Sequence, residues 1–122
     1  MYQLQVEMDF AAAHNLRGYK GKCENLHGHN YRVMVEISGR QLNETGMLAD
    51  FKDIKQMCRD IIGRLDHEYL NDTEPFDSLN PTTEHLAGHI CQRLQEKMPD
   101  GLWVSAVTCW ESPRCAARYL PD

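Results

Sequence analysis

The chain has 122 residues and a formal net charge of −5, so it is one domain, residues 1–122, that can bury roughly two-thirds of the surface its unfolded form exposes. The acidic balance argues against nucleic acid or an anionic membrane as main partner, and an anionic small substrate must be met by a local basic patch. No segment resembles a signal peptide or a membrane span, and five irregularly spaced cysteines (23, 58, 91, 109, 115) read as reduced thiols of a cytoplasmic protein.

The first predicted element is a strand. Leu4, Val6, Met8 and Phe10 alternate with Gln3, Gln5, Glu7 and Asp9, which places even positions inward on a half-buried strand. His14 continues that phase. In the second strand Tyr31, Val33, Val35 and Ile37 face inward, and His27 and His29 share their odd phase. A His-x-His pair on a strand puts both imidazoles on one side. If the strands pair as a hairpin through the loop 15–26, with no bulge shifting the register, all three histidines meet at its loop end on the buried face. Three imidazoles leave the fourth tetrahedral position of Zn²⁺ open, the arrangement of a catalytic site. Cys23 then has two roles open to it. It closes a structural Cys-His₃ site, or it is a reactive thiol beside an open metal, its pKa lowered by nearby positive charge.

After turns at 38–39 and 43–46 and a short extended piece at 47–50, Ile54, Met57, Cys58, Ile61, Ile62 and Leu65 recur at helical spacing and predict a helix over 51–65. Asp66 and His67 follow. A carboxylate-oriented histidine is an acid/base unit, but adjacent residues cooperate only if the helix has ended; the competing reading is a solvated polar helix end. A long connection to Pro81 leads to a helix start at Thr82-Thr83-Glu84, and Leu86, Ile90 and Leu94 carry the second helix. His85 and His89 have metal-capable spacing on that helix, but with no further ligand beside them they read as its partly exposed flank. Strands follow at 102–110 and 116–120, and Glu111 ends the first in phase with Val107 and Cys109. It is either a rim charge or a buried anchor for a pair of ligand N–H donors. The order is α+β, with a four-stranded antiparallel sheet and both helices on one face. Such a sheet has two open edges, which makes a homo-oligomer closed into a barrel plausible on physical grounds.

Taken together, Phe10-x-Ala-Ala-His14, Cys23-x-x-x-His27-Gly-His29-Asn-Tyr, Asp50-Phe51-x-x-Ile-Lys55, Leu65-Asp66-His67-x-Tyr-Leu-Asn-Asp72, Asn80-Pro-Thr-Thr-Glu84 and Val107-x-x-x-Glu111 resemble the 6-pyruvoyltetrahydropterin synthase family. Within it they resemble most the carboxy-forming bacterial branch, which serves queuosine biosynthesis. The resemblance implies a tunnelling fold of ββααββ subunits assembled into a barrel, as a hexamer with active sites between subunits. It implies Zn²⁺ on His14, His27 and His29. It implies Cys23 as the proton-abstracting thiol, with Asp66 and His67 as the partner acid/base pair. Glu111 would anchor the guanidine-like edge of a pterin, supported by Thr82, Thr83 and Glu84. The implied substrate is 7,8-dihydroneopterin triphosphate, and the products are 6-carboxy-5,6,7,8-tetrahydropterin, acetaldehyde and triphosphate. Arg17, Lys20 and Lys22 are the nearest cations in sequence for the triphosphate. The short gap between Cys23 and His27 resembles the carboxy-forming branch. The alternatives are a pyruvoyl-forming lyase on the same substrate and a non-enzymatic structural zinc protein.

Overall fold

A computed structural model describes residues 1–18 and 25–122; Lys20, Lys22 and Cys23 lie outside the described residues. The alternating N-terminal segment forms β1 (Tyr2–His14), which pairs antiparallel with β2 (His27–Gly39). Their register runs unbroken from Tyr2 opposite Gly39 to His14 opposite His27. With no bulge between them, the period-two argument carries all the way to the loop end. Val6, Phe10, Tyr31, Val33, Val35 and Ile37 are buried on one face.

The sheet corrects one expectation. It has five strands and is mixed, not four-stranded and antiparallel. Its order is β3-β1-β2-β4-β5, and β3 (Glu68–Tyr69) runs parallel beside Ala12 and Ala13 of β1. A two-residue strand is too short to show alternation. Polar contacts hold it instead: the Ala11 N–H donates to Asp66 Oδ1 at 3.0 Å, and the His67 N–H donates to the Ala11 carbonyl at 2.6 Å. β4 (Leu102–Ser112) pairs antiparallel with β2, and β5 (Cys115–Tyr119) with β4.

α1 (Phe51–Ile62) is capped by the Asp50 carboxylate, which accepts from the Lys52 N–H at 2.9 Å. It stops three residues short of the predicted end, although Leu65 stays buried beneath the turn that follows, which is why the apolar pattern runs on. Residues 47–50 make bends rather than a strand. α2 (Thr83–Gln95) is capped by the Thr82 hydroxyl, which accepts from the His85 N–H at 3.1 Å. Leu86, Ile90 and Leu94 are buried as predicted. α2 lies against β4 and β5, and α1 against β1 and α2, so both helices cover one face.

β4 carries a bulge. Val107 faces Val35 and Ala106 faces Glu36, but Ile37 faces Val104, leaving Ser105 as the extra residue. That slip lets Val104 and Val107, an odd number of residues apart, both be buried. It also puts Cys109 and Glu111 on the helix-covered side, which is the face of the histidines.

Candidate metal centre

The hairpin end brings together what the sequence phase predicts. His14, His27, His29 and Glu111 offer ligand atoms that all lie within 4.8 Å of one another. His14 is fully buried, and its ring stands edge-on to both other imidazoles, 4.5 Å from His27 and 5.0 Å from His29 between centroids.

Hydrogen bonds fix which nitrogen each ring presents. His14 Nδ1 is 2.8 Å from the Pro81 carbonyl and His27 Nδ1 is 2.7 Å from the Asn25 carbonyl. A carbonyl only accepts, so in each ring Nδ1 carries the proton and Nε2 keeps its lone pair. Glu111 Oε1 lies 2.9 Å from His29 Nε2, yet outside hydrogen-bond alignment, and the buried Nε2 is left without a hydrogen-bond partner. A buried nitrogen left unpaired costs free energy, and a cation where His29 Nε2 converges with the other two imidazoles would remove that cost. The donor set therefore fits a divalent metal held by imidazoles.

Burial pushes the His14 pKa down, and the neighbouring His27 and His29 push the same way. Burial also lowers that of His29, against the pull of Glu111. Both effects favour the neutral, ligating form. Tyr31 is a member of this site that the sequence reading treats only as core. Its hydroxyl lies 3.2 and 3.3 Å from the two ring nitrogens of His14, and Phe10 stacks on its ring at 4.8 Å. Its signal was its phase, the next inward position after His29. Cys109, on the same face, has its thiol pushed up to about 12 by burial, helped by Glu111, and stays protonated.

The proposed pterin-binding residues divide. The Thr83 hydroxyl donates to Glu111 Oε2 at 2.7 Å. Thr82 caps α2 instead, and Glu84 lines a cavity of about 930 Å³ between the helices, together with His85 and His89. His85 bonds the Asn80 carbonyl and His89 packs on Phe76; neither joins the metal group. Asp66 and His67 can meet because α1 has ended before them: His67 Nδ1 is 3.0 Å from Asp66 Oδ1. The bond from the Ala11 N–H holds the Asp66 carboxyl below its usual range, and His67 helps. His67 sits at φ +62°, is largely exposed, and shares a cleft of about 450 Å³ with His29. Arg17 is not a free cation for triphosphate. Its Nη2 lies 2.7 Å from the Phe76 carbonyl and 3.3 and 3.4 Å from those of Asn71 and Asp77.

Three convergent imidazoles on a hairpin, beside a hydrogen-bonded carboxylate from β4, form a site that could hold a metal ion within an α+β fold. The family model described as 6-pyruvoyl tetrahydropterin synthase matches residues 3–122, and the chain belongs to that family. A 6-carboxy-5,6,7,8-tetrahydropterin synthase of Synechocystis sp. is 38% identical over 98% of this chain and 94% of its own length. One from Haemophilus influenzae is 33% identical, over 98% and 99% respectively. The structure of Caenorhabditis elegans 6-pyruvoyl tetrahydropterin synthase matches with a TM-score of 0.88 and 28% identity, covering 99% of this chain and 96% of that one.

Proposed function

We propose that the chain is a 6-carboxy-5,6,7,8-tetrahydropterin synthase, a zinc-dependent lyase that acts on 7,8-dihydroneopterin triphosphate in queuosine biosynthesis. The observation that carries this reading is the convergence of His14, His27 and His29 beside a Thr83-held Glu111, in a chain whose relatives at 38% and 33% identity bear that name. His14, His27 and His29 would hold Zn²⁺, which when bound would supply a Lewis acid for the hydroxyls of the substrate side chain.

The protein's own groups do the rest. Glu111 accepts the N–H pair of the 2-amino-4-oxopterin edge, and Thr83 keeps the carboxylate turned toward it. Asp66 accepts from His67 Nδ1, so His67 Nε2 is the nitrogen that gives or takes a proton. The His67 N–H is held by the Ala11 carbonyl, and its Asp66 partner by the Ala11 N–H, so the pair is fixed to the edge of β1. Cys23 is the opposing proton-abstracting thiol, on the strength of its place in the family motif. The position of His67 at the sheet edge supports an active site completed between copies in a barrel-forming homo-oligomer. The free thiols Cys58, Cys91, Cys109 and Cys115 support a cytoplasmic setting. No helix among the described residues is long and apolar enough to cross a membrane.

Mass spectrometry of the products formed from dihydroneopterin triphosphate by zinc-loaded protein tests the reading. Acetaldehyde with 6-carboxytetrahydropterin is expected. A pyruvoyl product assigns the sister activity, and no turnover in wild type together with loss of zinc and of folding in Cys23→Ala assigns a structural Cys-His₃ site.

A further inference from the structure

The outer edge of β1 is matched residue by residue well beyond the short β3. Odd positions present their backbone groups to that edge. Ala11 is paired by Asp66 and His67, and Ala13 by Tyr69 of β3. Past the end of the strand the pattern continues with side chains in place of backbone. The Asn15 N–H donates to Asn71 Oδ1 at 2.9 Å, and Asn71 Nδ2 donates to the Asn15 carbonyl at 2.9 Å. Two residues on, the Arg17 N–H donates to Asn80 Oδ1 at 2.9 Å, and Asn80 Nδ2 donates to the Arg17 carbonyl at 3.1 Å. A primary amide carries one acceptor and a donor in the geometry of a peptide, so each asparagine acts as one rung of a ladder. The chain neighbour of Asn80 is Pro81, whose carbonyl fixes the His14 ring at 2.8 Å.

We propose that Asn80, with Asn71 behind it, is a positioning residue for the metal ligand His14: its amide clips the 80–82 segment to the backbone beyond β1, which holds the Pro81 carbonyl where it dictates the His14 tautomer. Proline contributes no N–H of its own to anchor this segment, so the side chain of Asn80 supplies the anchor. Asparagine is the residue type required. Aspartate keeps the acceptor but turns a charge toward the Arg17 carbonyl, and alanine keeps neither partner. Partners that orient a ligating histidine typically change metal affinity by about 10–100-fold when lost.

The inference rests on the metal reading above, and the test separates the two. Zinc affinity is measured by competition with a chromophoric chelator for wild type, Asn80→Ala, Asn80→Asp and His14→Ala. The ring ¹⁵N shifts of His14 are recorded in the metal-free proteins. The expected result is tight zinc in wild type and its loss in His14→Ala. Asn80→Ala should bind about 10–100-fold more weakly, with a mixed His14 tautomer and a native circular dichroism spectrum, and Asn80→Asp should fall between. Wild-type affinity and a single Nδ1–H tautomer in Asn80→Ala, with zinc lost in His14→Ala, overturn the role of Asn80 and leave the metal reading standing. Absence of zinc binding in wild type overturns both. If Asn80→Ala does not fold, Asn80→Asp carries the same readouts, and an unchanged affinity and tautomer there reject the proposal.

Discussion

Glu111 has one donor in place, the Thr83 hydroxyl on Oε2, while Oε1 lies 2.9 Å from the unpaired His29 Nε2. In the proposed function this carboxylate turns an acceptor pair to the pterin edge. In Glu111→Gln the Thr83 hydroxyl still finds an oxygen, but an NH₂ then points where the pterin's own N–H groups must go. The loss should be at least about 2 kcal/mol, on the order of 30-fold in affinity, seen by fluorescence titration with a pterin. Zinc content by elemental analysis should stay at one equivalent, since three imidazoles remain. His67 offers the complementary case. Its φ of +62° suits asparagine better than most residues, so His67→Asn should keep the wild-type melting temperature and lose about 100-fold or more in turnover, the usual worth of a positioned acid/base. Wild-type turnover in that variant removes His67 from the chemistry. At this scale the sequence was partly legible. The three histidines and Glu111 could be read because side chains on strands repeat every two residues. The Pro81 and Asn25 carbonyls that set the tautomers could not, because a backbone acceptor has no residue type to betray it. Arg17 misled for a related reason: a loop guanidinium looks free until the carbonyls that surround it are known.

Strands are held in the sheet by more than their ladders. On the face away from the helices, Glu36 is buried, accepts from Gln5 Nε2 at 2.9 Å, and pairs with Arg118 Nη2 at 2.7 Å. This ties β1, β2 and β5 together across β4. The hydrogen bond from Arg118 holds the Glu36 carboxyl below its usual value of 4.5. A carboxylate with a depressed folded pKa stabilises above its unfolded value, and the contribution is lost as pH falls through the folded one. Arg118→Ala leaves a buried carboxylate with a single neutral partner and should cost about 1–2 kcal/mol at pH 7 by urea unfolding. The deficit should shrink as pH drops below about 4.5, where wild type loses the same contribution; a deficit independent of pH would trace the loss to packing of the arginine stem alone. Both helices and the four longer strands were legible, since each shows a full period of its pattern. The two-residue β3 and the Ser105 bulge were not. The first is held by polar contacts of Asp66 and His67, and the second shows only as a change of phase between Val104 and Val107.

Across the whole molecule the sheet ends on two open edges, and the backbone says which groups they expose. Ala11 turns both its N–H and its carbonyl outward, the N–H to Asp66 and the carbonyl to the His67 N–H. Alternation then turns the same groups of Asp9, Glu7 and Gln5 outward, beyond the point where β3 stops beside Ala12 and Ala13. β5 forms the opposite edge. A long unpaired edge invites pairing with another chain, and β1 of one copy against β5 of another would close the sheet into a barrel. Proline at position 9 tests this directly. It removes an N–H that faces outward and leaves the β1–β2 ladder intact, since edge positions tolerate proline on that side. By analytical ultracentrifugation wild type should sediment as an oligomer and Asp9→Pro as a monomer. The monomer should still bind zinc, because His14, His27 and His29 come from a single hairpin. Its turnover should be lost, because in the proposed function His67, on the edge, serves a site completed by a neighbour. An Asp9→Pro monomer with full turnover would place the whole reaction within one chain, and an Asp9→Pro oligomer would move the assembly contact to another face.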